Sequence, residues 1–184
     1  MRRVLRFAVV VGLLLATGGA VLAGGAAMTL SSPAFRAGGA LPAHFTCDER
    51  NVSPPLAWSG VPAATTSLVM VMDDPDAPNP AASKAPTVHW ALYDIPPALG
   101  ELPDSLDASG LPPGVRAGRN DFGKAAWEGP CPRSGKHRYV FRLYALDTFL
   151  YDLGQPTRAK LDAAMKGHVL AKAEMTVTYQ KTPD

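Results

Sequence analysis

Three stretches of the chain are rich in β-branched and aromatic residues, a composition typical of β-strands. They cover residues 66–73, 87–95 and 137–146, and each is bounded by Pro, Gly or Asp. A fourth stretch, 173–180, alternates three apolar residues with three polar ones, namely Met175, Val177 and Tyr179 with Glu174, Thr176 and Thr178. Because side chains of a strand point alternately to its two faces, these patterns predict a fold built mainly from strands.

One helix is predicted after these first three strands. Pro156 and Thr157 begin it, and threonine is a favoured N-cap residue. Before Gly167 interrupts the pattern, apolar residues recur at helical spacing, at Leu161, Ala164 and Met165.

The composition is that of one globular domain. The chain has 184 residues, of which 47% are hydrophobic and 18% are charged. Its 17 glycines and 18 prolines are too many for a helix bundle, and they concentrate in long connections at 74–86 and 109–136. A mean hydropathy of +0.01 argues against a polytopic membrane protein. Connections of this length in a compact domain are usually functional or disordered.

The N-terminus has the features of a secretory signal peptide. Arg2, Arg3 and Arg6 precede an apolar segment at 7–16, and small residues suited to cleavage stand at Val21 and Ala23. Cleavage after Ala23 predicts a signal segment at 1–23, a single domain at 24–184 and a periplasmic or secreted protein. The alternative is an uncleaved membrane anchor, since no charged residue occurs between Arg6 and Arg36.

Removing the leader changes the charge balance. The whole chain has a net charge of +2, but without the three leader arginines 15 basic and 16 acidic residues remain, a net charge of −1. The mature chain is therefore not expected to bind nucleic acid or to insert stably into a membrane.

Two cysteines remain in the predicted mature chain, Cys47 and Cys131. In an oxidising compartment a disulfide between them is expected, and two buried thiols are the alternative. Their spacing has no metal-site signature.

Two histidines stand near the beginnings of predicted strands. His137 shares a strand face with Tyr139, Phe141, Leu143 and Ala145, and His89 is expected to share one with Ala91, Tyr93 and Ile95. A third strand ends in carboxylates, at Asp73, Asp74 and Asp76. The three strand ends together predict a cluster of imidazoles and carboxylates.

Several short motifs, taken in order, resemble one known family. They are Asp-Pro-Asp-Ala-Pro at 74–78, His-Trp at 89–90, Gly-Pro at 129–130 and Gly-Lys-His-Arg-Tyr at 135–139. Further matches lie at 51–56, 118–123 and 165–168. Over roughly residues 28–180 the chain resembles the phosphatidylethanolamine-binding protein family, and most of all its bacterial, Raf-kinase-inhibitor-like (YbhB/YbcL-like) branch.

The resemblance implies a mainly β fold, a sandwich of two antiparallel sheets with one or two short helices. It also implies a small anion-binding pocket at one end. Carried over residue by residue, the ligand-binding positions are Asp74, Asp76, Pro78, His89, Gly129, Pro130, His137 and Tyr139.

The predicted ligand is a small anion, of the phosphate or phospholipid-headgroup type. Our hypothesis is that Asp74 and Asp76 orient the imidazoles and raise their pKa, so that the rings donate hydrogen bonds to phosphate-like oxygens. No catalytic residue, metal or cofactor is predicted, because the chain lacks a Gly-x-Ser-x-Gly nucleophile motif and the closely spaced histidines typical of zinc sites.

Other functions remain as alternatives. The first is a protein-interaction module, such as a protease inhibitor acting on an envelope or secreted partner. The second is a hydrolase in which His137 and Asp74 act as acid and base. A homodimer is open as well, because the family often includes dimers.

Overall fold

The structure is a computed structural model that describes residues 27–77, 85–107, 109–151 and 153–181. The predicted signal segment at 1–23 lies outside the described residues. Within them there are eight strands and one α-helix: β1 (Thr29–Ser31), β2 (Leu56–Ser59), β3 (Ser67–Asp74), β4 (Thr87–Ile95), β5 (Glu101–Leu102), β6 (Arg116–Ala117), β7 (His137–Leu146), α1 (Arg158–Met165) and β8 (Val169–Tyr179). Two single-turn 3-10 helices cover Ala43–Phe45 and Pro97–Leu99.

The predicted strands and the predicted helix are confirmed. The oxygen of the Thr157 side chain accepts a hydrogen bond from the backbone N–H of Lys160, which is the N-cap arrangement. Only β8 differs clearly in extent, because it begins at Val169 rather than at residue 173. Its first four residues are not buried, so backbone pairing with β7 begins before the alternation of buried side chains.

The strands form two antiparallel sheets. The smaller sheet has the order β1-β2-β5, and the larger has the order β6-β4-β3-β7-β8. This arrangement confirms the predicted fold class, a mainly β sandwich with few short helices. Between residues 27 and 181, apart from the gaps given above, no helix is long and apolar enough to cross a membrane.

The larger sheet is covered on both faces. One face packs against the smaller sheet, with Met72, Trp90 and Phe141 meeting Leu30 and Trp58. The other face packs against α1, whose apolar side chains are Leu161 and Met165. All residues of β3 and β4 are buried for this reason.

Two register shifts between β3 and β4 change which residues share a face. Met72 pairs with Trp90 but Asp73 pairs with Val88, so His89 is an extra residue in β4. The second shift lies near Asp94, whose φ is +55°.

The shifts make one face assignment wrong. Ala91 and Tyr93 pack on the α1 side, whereas Ile95 packs between the sheets, so these three do not lie on one face with His89. The ring of His89 lies 5.4 Å from that of Tyr139, which belongs to the core between the sheets. In β7, which has no such shift against β3, the predicted common face of Tyr139, Phe141, Leu143 and Ala145 is confirmed.

A buried ion cluster anchors the end of β3 on the α1 side. Asp73 is 1% exposed and accepts hydrogen bonds from the guanidinium groups of Arg142, on β7, and Arg158, the first residue of α1. The distance from Arg158 Nη1 to Asp73 Oδ2 is 2.8 Å. A buried carboxylate needs positively charged partners to offset its loss of hydration. Because these partners come from β7 and α1, the cluster connects both elements to β3.

Asp73→Asn is expected to lower the free energy of unfolding by about 3 kcal/mol, because two partly buried arginines lose their shared counter-charge. Asp162→Asn is the matched control. It removes an exposed partner of the same Arg158 and should cost about 0.5 kcal/mol or less. Urea unfolding followed by tryptophan fluorescence measures both, and equal losses in the two variants would contradict the role given to Asp73.

Candidate functional site

The predicted cluster of polar strand ends forms at one edge of the larger sheet. Asp74 ends β3, His89 lies near the beginning of β4, and His137 begins β7. Since β3 runs between β4 and β7 and antiparallel to both, these ends meet at the same edge. The prediction from strand ends is therefore confirmed for these three residues. It is wrong for Asp73, whose carboxylate binds Arg142 and Arg158 on the α1 side of the sheet.

Asp74 and His137 form a hydrogen-bonded pair. The Nδ1–H of His137 donates to Oδ2 of Asp74 at 2.8 Å, and the side chain of Asp74 is 2% exposed. The other oxygen of Asp74 accepts hydrogen bonds from the backbone N–H groups of Asp76 and Ala77, at 2.8 and 2.9 Å. The carboxylate thus holds the His137 ring and the turn after β3 together.

His89 is oriented by a backbone carbonyl. Its Nδ1 lies 2.7 Å from the carbonyl oxygen of Glu128, and because a carbonyl only accepts, Nδ1 carries the hydrogen. The carbonyl of His89 itself accepts from the Asn120 side chain and from the backbone N–H of Glu128. Asn120 also binds backbone groups of its own loop and so holds that loop in place.

A cavity of about 600 Å³ lies at this edge of the sheet. Of the eight predicted ligand positions, five contribute to its lining: Asp74, His89, Gly129, His137 and Tyr139. Pro78 lies outside the described residues, and the structure places Asp76 and Pro130 beside the cavity rather than in its lining.

Asp76 and Pro130 each make a contact that holds a neighbouring segment. The carboxylate of Asp76 accepts from the guanidinium and the backbone N–H of Arg138, and this hydrogen bonding lowers the pKa of Asp76 to about 2. The carbonyl of Pro130 accepts from the N–H of Cys47 at 3.2 Å. Both residues hold segments next to the cavity: the turn after β3, and the loop that follows Gly129.

Six cavity residues with polar or aromatic side chains were absent from the predicted set: Thr87, Asp121, Phe122, Glu128, Arg133 and Ser134. Two of them, Asp121 and Phe122, lie in the Gly-Arg-Asn-Asp-Phe-Gly motif, so the motif marked the segment although not its role. Thr87 lies two positions before His89 in β4. Because side chains alternate along a strand, this spacing could have indicated that Thr87 lines the same cavity.

Two of these residues, Thr87 and Arg133, lack a hydrogen-bond or ion-pair partner for their side chains among the described residues. The Thr87 hydroxyl is buried and has no hydrogen-bond partner among the described residues. Arg133 is exposed at the cavity and forms no ion pair within the described part of the chain. A buried hydroxyl without a partner is unusual in proteins.

The loop that contributes Gly129 packs closely against the segment at 45–51 and is also covalently linked to it. A Cβ at Gly129 would collide with the Phe45 carbonyl oxygen, so only glycine allows this approach. The disulfide between Cys47 and Cys131, predicted from the sequence, joins the same two segments, and Cys131 also lines the cavity.

The comparisons with known proteins agree with this architecture. The sequence profile described as "Phosphatidylethanolamine-binding protein" matches residues 31–180. The chain belongs to the phosphatidylethanolamine-binding protein family. A relative described as "UPF0098 protein" from Methanothermobacter thermautotrophicus is 48% identical over 84% of this chain and 99% of the relative.

Two solved structures of family members resemble this one closely. A putative phosphatidylethanolamine-binding protein homologue, CT736 from Chlamydia trachomatis, is 37% identical, with a TM-score of 0.77 over 85% of this chain and 99% of that one. E. coli YbcL, described as a new member of the mammalian family, is 32% identical with the same TM-score over 85% and 100% of the two chains. These relatives confirm the bacterial and archaeal branch of the family.

The electrostatics of this family member differ from the sequence-based hypothesis in two respects. The carboxylate of Asp76 binds Arg138 and not a histidine ring, so its predicted role in orienting the imidazoles is wrong. The second difference concerns His89. Burial lowers the pKa of His89 below its usual 6.5, although the Glu128 carbonyl and the carboxylates of Asp74, Glu128 and Asp121 act in the opposite direction. The expectation of a raised pKa is therefore wrong for His89. Burial and the neighbouring Asp74 raise the pKa of Tyr139, so its phenol stays neutral.

Within the four described ranges, no group of three or more His, Cys, Asp or Glu side chains is arranged to hold a metal ion.

The lowered pKa of His89 predicts how stability depends on pH. The unfolded chain takes up a proton near pH 6.5 and the folded chain only at lower pH, so stability is full above 6.5 and falls as the pH drops below it. An NMR titration should place the His89 midpoint below 6.5, and a midpoint at or above 6.5 would contradict the assignment.

His89→Gln should remove this contribution to the pH slope of urea unfolding. His168→Gln, an exposed histidine at the opposite end of the sheet, controls for the loss of an imidazole.

Proposed function

We propose that the protein binds a small phosphate-type anion in the cavity between His89 and His137. The observation that carries the proposal is the convergence of groups from adjacent strands on one space: the Asp74–His137 pair, the free side of the His89 ring and the unpartnered hydroxyl of Thr87. A small polar ligand can satisfy these groups together, whereas an apolar ligand would leave the hydroxyl without a partner.

The cavity also has charge and hydrogen-bond donors for such an anion. Arg133 supplies a cation at the exposed side, and the hydroxyl of Ser134 is able to donate. Phe122 is 49% exposed and lies 5.1 Å from the His89 ring, where it offers apolar contact to a substituent on the anion. These features fit a phosphate that carries a small organic group.

Binding without turnover is part of the proposal. The Asp74–His137 pair could act as an acid and a base in catalysis. Among the described residues, however, no cavity side chain is hydrogen-bonded to either histidine in the way that activates a nucleophile. Release of inorganic phosphate from O-phosphorylethanolamine, abolished in His137→Ala, would instead indicate a hydrolase.

Thr87→Val tests the binding proposal with an isosteric change. The variant should be at least as stable as the wild type, because it removes a buried hydroxyl that has no partner, yet its affinity for inorganic phosphate should fall about tenfold. Calorimetric titration measures the affinity and thermal unfolding measures the stability.

Thr65→Val is the matched control, since the Thr65 hydroxyl is also buried without a partner but lies outside the cavity. Equal phosphate affinities in wild type, Thr87→Val and Thr65→Val would refute the role of Thr87. Absence of phosphate binding by the wild type would refute the proposal itself.

We also propose that the protein is exported and acts in the periplasm or outside the cell. The basic and apolar pattern of residues 2–23 and the disulfide between Cys47 and Cys131 support export, because disulfides persist in oxidising compartments.

Expression in a Gram-negative host, followed by cell fractionation and mass spectrometry, tests this second proposal. The expected product is a chain that begins at Gly24 in the periplasmic fraction. An intact N-terminus in the membrane fraction would identify an uncleaved anchor, and a reduced full-length chain in the cytosol would refute export.

A further inference from the structure

The hydrogen bond between His89 and the Glu128 carbonyl determines what the His89 ring presents to the cavity. The Nδ1–H of His89 is committed to the Glu128 carbonyl, so in the neutral ring Nε2 carries a lone pair. His89 is 4% exposed and lines the cavity, and no described residue lies within hydrogen-bond distance of its Nε2. The His89 ring therefore offers an acceptor to a ligand.

The surroundings of His89 favour its neutral form. Charged and titratable groups face it from three sides: Asp74 from β3, His137 and Tyr139 from β7, and Asp121, Glu128 and Arg133 from the loops. The carboxylates favour protonation, but burial outweighs them and lowers the pKa of His89.

The cavity also offers donors. The buried hydroxyl of Thr87 has no partner among the described residues, and the guanidinium of Arg133 lies at the exposed side. His137 has its Nδ1–H bound to Asp74, so its neutral ring presents a second acceptor at Nε2. A ligand that fits must accept hydrogen bonds from Thr87 and Arg133 and donate a hydrogen bond to an imidazole Nε2.

Three carboxylates among the lining residues strengthen this requirement. Asp74, Asp121 and Glu128 face the space that the anion would occupy, and Arg133 is the cation that has no counter-charge among the described residues. A fully ionised oxyanion would set its oxygen lone pairs against the lone pair of His89 and against these carboxylates. An oxyanion that keeps one acidic hydrogen carries less charge and donates that hydrogen to His89 Nε2.

We infer that the cavity selects oxyanions that retain an acidic hydrogen, namely hydrogen phosphate and phosphate monoesters, over sulfate and phosphate diesters. The inference rests on the proposed function and narrows its ligand class. The phosphate of a phosphatidylethanolamine headgroup is a diester without such a hydrogen, so this headgroup should bind more weakly than phosphatidic acid and free monoesters, whose phosphates keep it.

The test compares ligands that differ only in this hydrogen. Methyl phosphate and dimethyl phosphate both carry a single negative charge when the former is a monoanion, and the cavity of about 600 Å³ leaves room for the extra methyl group. The comparison is made at about pH 6, where a phosphomonoester with a second pKa of about 6 is half monoanion, after the NMR titration has shown that the His89 ring is neutral at that pH. Sulfate provides an oxyanion of similar shape with no hydrogen.

We expect methyl phosphate to bind roughly tenfold or more tightly than dimethyl phosphate and sulfate, because each of these leaves the buried acceptor unpaired. Affinities within about twofold of one another would overturn the inference while leaving phosphate binding intact. If none of the three ligands binds, the proposed function fails as well, so the two failures are distinguishable.

His89→Gln tests whether the His89 ring is the acceptor that causes this ligand preference. A glutamine amide can donate as well as accept, so the preference for methyl phosphate over sulfate should fall to roughly twofold or less, while His168→Gln should keep the wild-type preference. A wild-type preference retained in His89→Gln would overturn the assignment of the acceptor to this ring.

The wild-type protein gives an independent readout if the variant does not fold. Nitrogen-15 chemical shifts of His89 should show a protonated Nδ1 and an unprotonated Nε2 in the free protein, and the reverse tautomer would contradict the inference.

The source of the monoester is distinguished with vesicles. Phosphatidylcholine vesicles containing phosphatidic acid are compared with vesicles containing phosphatidylethanolamine, beside free O-phosphorylethanolamine. Binding to phosphatidic acid identifies a lipid source, and binding to the free monoester alone identifies a soluble one. Equal binding to phosphatidylethanolamine vesicles would overturn the inference.

Discussion

The end of β3 is constrained by two consecutive buried carboxylates. Because neighbouring side chains of a strand point to opposite faces, Asp73 and Asp74 are directed to opposite sides of the larger sheet. A carboxylate buried on either side needs a compensating partner. Asp73 obtains it from two arginines on the α1 side, and Asp74 from His137 and two backbone N–H groups on the other. The strand end is thus held from both faces, and the orientation of the candidate site depends on it.

The geometry of β4 completes the site. The extra residue at the register shift places His89 beside Tyr139, although strict alternation would put it with Ala91. The carbonyl of Glu128 then determines which ring nitrogen faces the cavity. Loops provide this second set of contacts, and the disulfide between Cys47 and Cys131 holds one of those loops against the segment at 45–51. The sheet therefore positions the side chains, and the loops decide their protonation and access.

An acidic lining beside a proposed anion site has a physical explanation in the neutral His89 ring. A site made only of cations would bind any small oxyanion, because Coulomb attraction does not distinguish phosphate from sulfate. A site that combines an acceptor and carboxylates with a few donors responds to the hydrogen that the anion carries. Selectivity then comes from the free-energy cost of buried hydrogen-bonding groups that remain unpaired when the wrong ligand binds.

Local sequence patterns determined the strands, the helix and its threonine cap, since each depends on the periodicity and turn chemistry of a few neighbouring residues. They also placed Asp74 and His137 together, because both occur at strand ends. The strand β8 was predicted too short because its first residues pair without being buried. The face of His89 and its lowered pKa could not be read from the sequence. Both depend on a register shift against β3 and on burial by distant loops, so only the tertiary structure decided them.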